Sequence, residues 1–288
     1  MLESPAAKAL ESPTTSGRHA LTCGLEIHQQ LATKKLFCPC ASSLAQEKPI
    51  AVIRRQLRAV AGELGAVDVA AAAAAAKGST FAYHAFAGES CEVELDEEPP
   101  QELNPEALDL ALQLALLLKC WIPPEVHVMR KTVLDGSNTT GFQRTAVIGL
   151  NGTLETSKGA VSIPTVCLEE ESCQILKKRS DTIDYGLNRL GIPLIEIATS
   201  PDIHDPEHAR EAAEAIGSLL RSTGKVRRGI GTIRQDVNVS IPSGSRVEIK
   251  GFQELNQIPI VINKEMERQH ALLKEGKAVP KEVRKAKP

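Results

Sequence analysis

Glu26 and His28 stand two residues apart in CGLEIHQQLATKKLFCPC, residues 23–40, a stretch that also carries Cys23, Cys38 and Cys40. Carboxylate, imidazole and thiol are all metal-ligating types, so the stretch leaves two alternatives: a metal that holds the chain together, or one that does chemistry. Further acids are embedded in apolar runs. Glu169, Glu170 and Glu171 follow Leu168, Glu196 sits between Ile195 and Ile197, Glu248 sits between Val247 and Ile249, and Asp236 lies in RQDVNVS. Taken singly, each is read as the water-facing position of a half-buried strand. Taken together, carboxylates and an imidazole converging on one sheet face would repel one another unless a cation neutralised them. Oxygen ligands with one His suit Mg²⁺ or Mn²⁺ better than zinc, and magnesium usually binds substrate phosphates. The chemistry therefore points to nucleotides, without a Walker-type loop or a dinucleotide fingerprint.

The thiols compete with this reading. Cys38-Pro39-Cys40 is half of a zinc site, but a structural site needs four ligands and no second close pair exists. Cys91 or Cys23 would have to complete it, and free buried thiols are the preferred alternative. In DGSNTTGFQRT, residues 135–145, small and amide side chains beside Arg144 could bind polar groups of a substrate, but a hairpin turn explains the same composition.

The elements that must position these residues follow from the patterning. CGLEIHQQL alternates, with Leu25 and Ile27 inward and Glu26 and His28 on the other face of a strand. In IRRQLRAVAGELGAVDVAAAAAAAKG the run Ala70–Ala76 predicts a helix ended near Gly78. FAYHAF and SCEVELDEEPP are expected as strands, and Asn104-Pro105-Glu106 caps a helix through ALDLALQLALLLKC. EVHVMRKTVLD, FQRTAVIGL, GTLETSKGAVSIPTVCLEEE and LGIPLIEIAT read as strands, with turns at Asp135-Gly136, Asn151-Gly152 and Lys158-Gly159. DPEHAREAAEAIGSLLRSTG is an amphipathic helix, two more strands flank Ser243-Gly244, and VINKEMERQHALLKEG is a last helix. The mix is α+β, a mostly antiparallel sheet with flanking helices.

At 288 residues the chain can bury a sizeable core, and with only 3% aromatics that core rests on Leu, Ile, Val and Ala. The net charge of −2 carries no sign of nucleic-acid binding, although basic patches occur on neutral proteins. Seven cysteines, odd in number and sparse, fit a reducing compartment and so a cytoplasmic location. The run Leu108–Leu118 is interrupted by Asp109 and Gln113 and is too short for a membrane span. Residues 1–19 are expected to be a disordered tail, 20–275 the folded core, and 276–288 a basic tail.

Seven segments occur in order: GLEIHQQL, KLFCPC, DEEPPQELNPEAL, MRKTVLDGSNTTGFQRT, CLEEE, NRLGIPLIEI and GTIRQDVNVSI with VEIKG. Together they resemble the E-type family of archaeal glutamyl-tRNA(Gln) amidotransferases, with the bacterial and organellar B-type family more distant. The resemblance spans roughly residues 20–275. It implies a core similar to glutamine synthetase and a ligase reaction. ATP and Mg²⁺ (or Mn²⁺ in its place) would serve to phosphorylate glutamate misacylated onto tRNA(Gln). Ammonia from an asparaginase-like glutaminase partner, the D-type chain of the family's complex, would displace the phosphate. By motif, Glu26, His28, Glu169, Glu170, Glu196 and Glu248 fall on the family's metal-binding positions, with Glu170, Glu196 and Glu248 also catalytic and Asp236 a weaker member. Ser137, Asn138 and Arg144 are expected to face substrate or nucleotide. Many B-type relatives bind zinc through two cysteine pairs. Only Cys38 and Cys40 remain of that pattern here, which leaves zinc doubtful. The family's C-terminal tRNA-gripping domains are not in this sequence, so weak tRNA binding is expected. Two rivals stand beside this reading: a non-catalytic scaffold for the glutaminase partner, and a metal-dependent ligase acting on a free amino acid or on an aminoacyl-tRNA such as Asp-tRNA(Asn).

Overall fold

A computed structural model describes residues 20–44, 48–62 and 65–286, so the expectation for residues 1–19 falls outside the described residues. Two sheets carry the strands. The larger has eight, in the order β12-β11-β10-β1-β9-β6-β5-β4. These are β1 Thr22–Gln30, β4 Val128–Thr132, β5 Phe142–Thr156, β6 Gly159–Glu170, β9 Pro193–Ala198, β10 Ile233–Ser240, β11 Val247–Phe252 and β12 Glu282–Lys285. All its neighbours are antiparallel except β11 and β12. The smaller sheet runs β2-β3-β8-β7: β2 Ala51–Gln56, β3 Thr80–Ala85, β7 Gln174–Lys178 and β8 Thr182–Gly186.

One face of the large sheet is apolar because its strands alternate. Leu25, Ile27, Ile195, Ile197, Val237 and Val239 are each almost fully buried. Helices α2 (Pro105–Leu117), α3 (Pro206–Ser222) and α4 (Gln257–Lys274) pack on that face. Asn104 caps α2 through its Oδ1, which accepts from Glu106 N at 3.0 Å and Ala107 N at 3.2 Å, and Pro105 fills the first helical position. Asp205-Pro206 repeats the device on α3. The helix α1 (Val69–Ala75) uses the alanine run, and Gly78 follows at φ +67°. No helix among the described residues is long and apolar enough to cross a membrane.

Three local expectations give way. Asn151-Gly152 lies inside β5 rather than in a turn. A Cβ on Gly152 would come within 2.6 Å of Leu118 O, so this glycine serves the close approach of the α2 end, and the hairpin turns at Ser157-Lys158. SCEVELDEEPP alternates like a strand but folds into turns, because Glu94 reaches back to Cys91 N at 2.8 Å and Asp96 takes φ +57°. The segment 276–288 is more than a basic tail: β12 pairs with β11, and Arg268 of α4 meets Glu282 at 3.1 Å.

Candidate functional site

With helices covering one face, the other face of the large sheet presents the polar half of each strand. Register brings those residues together, since directly opposed residues share a face. Glu26 faces Asp236, His28 faces both Glu196 and Arg234, Asn238 faces Glu248, and Thr145 faces Glu169. Two adjacent trios result, His28/Glu169/Glu196 and Glu26/Asp236/Glu248. Within each, ligand atoms lie within 4.8 Å of one another. Glu26 and His28 belong to different trios and are two residues apart on β1, so the centres are about 7 Å apart.

In the first trio His28 Nε2 lies 3.3 Å from Glu196 Oε2, and the Lys131 ammonium lies 2.6 Å from Glu169 and 3.5 Å from Glu196. Glu169 also accepts from Thr145 Oγ1 at 3.0 Å and Gln143 Nε2 at 3.1 Å. The His28 hydrogen bond, with the charge of Lys131 beside it, holds Glu196 at about 2. Burial, and then the Glu196 charge, push Glu169 up. The pair thus shares its repulsion unequally, with Glu196 the firmly anionic member. In the second trio Lys250 lies 2.9 Å from Asp236 and 2.6 Å from Glu248, while Asn238 Nδ2 donates to Glu26 at 3.4 Å.

The three consecutive glutamates part company. Glu169 joins the first trio. Glu170 points to the opposite face, where it accepts from Arg144 N at 3.0 Å and Nη1 at 3.2 Å; the rings of Phe37 and Phe142 each lie 5.5 Å from that guanidinium. Burial raises Glu170 even against Arg144. Glu171 lies past the end of β6 and takes both guanidinium nitrogens of Arg234, at 2.7 and 3.1 Å, and Gln30 Nε2 at 3.0 Å. Against burial, the charge of Arg234 pulls Glu171 down. Of the candidate ligands named from sequence, the structure therefore gathers Glu26, His28, Glu169, Glu196, Glu248 and Asp236 on one face and sets Glu170 apart with Arg144.

Asn138 is buried in the 133–141 loop and lines a cavity of about 690 Å³ with Arg54, Arg55, Arg58 and Thr139. Its Oδ1 accepts from Ser172 Oγ at 2.9 Å, and its Nδ2 has no protein partner. Tyr83 and Tyr185 donate to Gly136 O and Asp135 O at 2.7 Å each, which pins the loop. Ser137 takes the first turn of that loop, its N–H donating to Asp135 Oδ1 at 2.9 Å, and is not among the cavity's lining residues.

A separate cluster forms where the bent 36–40 segment that follows β1 meets the 91–97 turns. Cys38, Cys40, Cys91 and Glu94 place one sulfur or oxygen each within 4.8 Å of the others. Cys38 Sγ donates to Glu94 Oε1 at 2.8 Å, and Lys35 Nζ lies 3.4 Å from the same oxygen. Burial, then the Glu94 charge, push the Cys38 thiol up; burial pushes Cys91 to about 11. Cys23 is absorbed in the core instead. Three sulfurs and a carboxylate oxygen form a donor set that fits zinc. The sequence reading missed Glu94, although its place three residues after Cys91 was the available signal. It also missed Lys131, Arg234 and Lys250. Arg234 stands two residues before Asp236, and Lys250 two after Glu248, so strand alternation puts each on the acid-bearing face.

Residues 21–288 match the family model described as GatB/GatE catalytic domain. Similar curated proteins are the E-type subunits of glutamyl-tRNA(Gln) amidotransferase. That of Thermococcus gammatolerans is 53% identical over 254 residues, covering 88% of this chain and 40% of the relative. That of Methanocaldococcus jannaschii is 51% identical over 255 residues, with the same coverage of 88% and 40%. That of Methanopyrus kandleri is 54% identical over 258 residues, again 88% and 40%. The chain spans about 40% of the length of the curated relatives it matches.

Proposed function

This chain belongs to the GatB/GatE catalytic-domain family, and from that premise we propose that it is the catalytic core of a ligase converting Glu-tRNA(Gln) to Gln-tRNA(Gln). The observation that carries the reading is the pair of acidic trios side by side on the open sheet face. In the proposed reaction an oxygen of the glutamyl carboxylate attacks the γ-phosphorus of ATP and ADP leaves. Ammonia then attacks the acyl carbon, phosphate leaves with that oxygen, and the nitrogen loses a proton. Divalent cations held by His28, Glu169 and Glu196 and by Glu26, Asp236 and Glu248 would neutralise phosphate charge facing an anionic substrate.

The chain's own residues would do the rest. Glu196, firmly anionic through His28, is the fixed charge of its trio. Glu169, fixed by Thr145, Gln143 and Lys131, is the second carboxylate of that trio. Arg234, held by Glu171 and facing His28 across the strands, offers a positioned positive charge to a phosphate or carboxylate. Asn138 and the arginines around its cavity would receive the polar part of the substrate. Ammonia would come from a glutaminase partner, in the cytoplasm. Zinc at Cys38, Cys40, Cys91 and Glu94 would brace the loop that Thr139 ties to Glu94 O at 2.7 Å.

The test is ATP hydrolysis with Mg²⁺ and Glu-tRNA(Gln), ammonium salt supplied, beside Glu196→Gln. Turnover that depends on the charged tRNA and vanishes in the variant supports the reading. Absence of turnover with Mn²⁺ still bound would leave a non-catalytic scaffold, and absence of both would sink the cation reading of these carboxylates.

A further inference from the structure

The two trios share a feature their ligands alone do not require. Each has one lysine ammonium seated between two of its carboxylates. Lys131 bridges Glu169 at 2.6 Å and Glu196 at 3.5 Å; Lys250 bridges Glu248 at 2.6 Å and Asp236 at 2.9 Å. The two lysines come from different strands: Lys131 from β4, beyond the strands of its trio, and Lys250 from β11, the strand that also carries Glu248. Both side chains are about half exposed, 50% and 45%, while their carboxylate partners are 1–18% exposed. Against burial, the hydrogen bonds to those carboxylates hold both ammoniums above their ordinary pKa. Each lysine therefore has the reach and solvent access to leave while its partners stay fixed.

We propose that Lys131 and Lys250 are tethered counter-cations, each holding one acidic trio in the cation-free protein and giving up its place when a divalent ion enters. This rests on the cation reading above and goes beyond it, because it assigns the two lysines an exchange role. An ammonium and a divalent ion drawing on the same two carboxylate oxygens exclude each other by repulsion and by space. Once displaced, the ammonium stays on its tether beside the ion, where a phosphate bound to that ion is the nearest anion. Two opposite effects follow. The lysine competes with the cation, and it supports the nucleotide that the cation brings.

The experiment counts free Mn²⁺ by electron paramagnetic resonance during titration of the full chain, and then measures ATP binding at saturating Mn²⁺. The variants are Lys131→Met and Lys250→Met, with Lys119→Met as control, since the Lys119 ammonium pairs with the surface Glu155 at 3.3 Å and with no trio carboxylate among the described residues. Circular dichroism selects variants that retain the fold, and Lys131→Gln and Lys250→Gln serve if a methionine variant does not. Each trio variant should bind one class of Mn²⁺ about tenfold more tightly, the size of one displaced ion pair of ordinary strength, and ATP about tenfold more weakly, with the control unchanged. Mn²⁺ affinity that is unchanged or lower in both variants overturns the exchange. Tighter Mn²⁺ with unchanged ATP binding also overturns it as stated, since the second role is then absent. If the unmodified chain binds no Mn²⁺, the cation reading itself fails and the exchange fails with it; if it binds Mn²⁺ but the lysines are neutral to it, only the exchange fails.

Discussion

Replacing Arg144 by Met would isolate one buried charge and show whether the sheet holds its acids by ion pairing. Glu170 is 3% exposed and Arg144 8%. Arg144 contributes a side-chain bond at 3.2 Å and two ring contacts at 5.5 Å. The substitution keeps the chain length and the backbone N–H donor but removes the charge. Breaking a buried pair in this way costs about 3–5 kcal/mol, because the remaining carboxylate has no counter-ion. Burial already raises Glu170 with Arg144 present, and without it the carboxyl rises further. The unfolded carboxyl gives up its proton near the ordinary value of 4.5, while the folded one keeps it to higher pH. Between those two values the folded state binds more protons, so stability falls as pH rises through the window. Urea denaturation of Arg144→Met should therefore show a deficit of about 3 kcal/mol or more at pH 8. That deficit should shrink by about 1.4 kcal/mol for each unit of acidification below the variant's raised pKa, and stop shrinking once Glu170 is protonated in both folded proteins. Adding Glu170→Gln should recover most of the loss and remove its pH dependence. A deficit below about 1 kcal/mol, or one equal at pH 5 and pH 8, would refute the claim that Glu170 is an ion buried at the cost of a partner.

Elemental analysis of the purified chain should find about one zinc per chain, with the amount falling in Cys91→Ser and Glu94→Gln; zinc-free protein with full thermal stability would remove the bracing role. Gly136→Ala should cost about 2 kcal/mol or more, because φ is +77° and the new Cβ would sit 2.6 Å from the Phe81 ring; its thermal midpoint should fall accordingly, and an unchanged midpoint would contradict the packing of that loop. For Glu171, whose pKa lies below the ordinary 4.5, the linkage runs the other way: its contribution is present above pH 4.5 and is lost as pH falls through the depressed value. The urea midpoint of Glu171→Gln should accordingly lie below that of the unmodified chain at pH 7 and converge on it in strong acid. Glu26→Gln should abolish Mn²⁺ binding at the second trio yet leave stability within about 0.5 kcal/mol, as no lysine or arginine pairs with Glu26 among the described residues; a large loss of stability would mean that Glu26 is held by more than Asn238.

The alternation in GLEIH and PLIEI was enough to put Glu26, His28 and Glu196 on one face, because a strand with one apolar face has a single register that buries Leu25, Ile27 and Ile195. The fate of CLEEE was not legible in the same way. Alternation puts Glu169 and Glu171 on one side, but β6 stops at Glu170, and beyond it Arg234 and Gln30, some 63 and 141 residues away, decide where Glu171 goes. Long-range ionic partners have no local signature. The same reason hid β12, whose short basic segment becomes a strand through β11 and the Arg268–Glu282 contact. Asn151-Gly152 misled because the dipeptide has two physical uses, and the close approach of Leu118 that selects between them comes from a helix end elsewhere in the chain. Glu94 escaped because three thiols draw attention to a fourth, although a carboxylate satisfies the same charge and geometry.

The distribution of countercharge explains how such a sheet can fold before any cation is bound. Glu169 has Lys131, Glu170 has Arg144, Glu171 has Arg234, and Asp236 and Glu248 share Lys250. Lys131, Arg144 and Arg234 come from strands that do not carry their carboxylates, and Lys250, which shares β11 with Glu248, also reaches Asp236 on β10, so forming the sheet brings this countercharge into place. Where the partner is rigid and forked, as with Arg144 and Arg234, the pair is a fixed part of the framework. Where it is a long ammonium arm with open solvent beside it, as with Lys131 and Lys250, the neutralisation is reversible. The arginines sit with Glu170 and Glu171, which lie outside both trios, and the lysines sit only inside them. A face assembled for folding alone would have no reason to sort its cations by exchangeability. A face that must hold its acids together when empty and free them for a divalent ion needs that sorting.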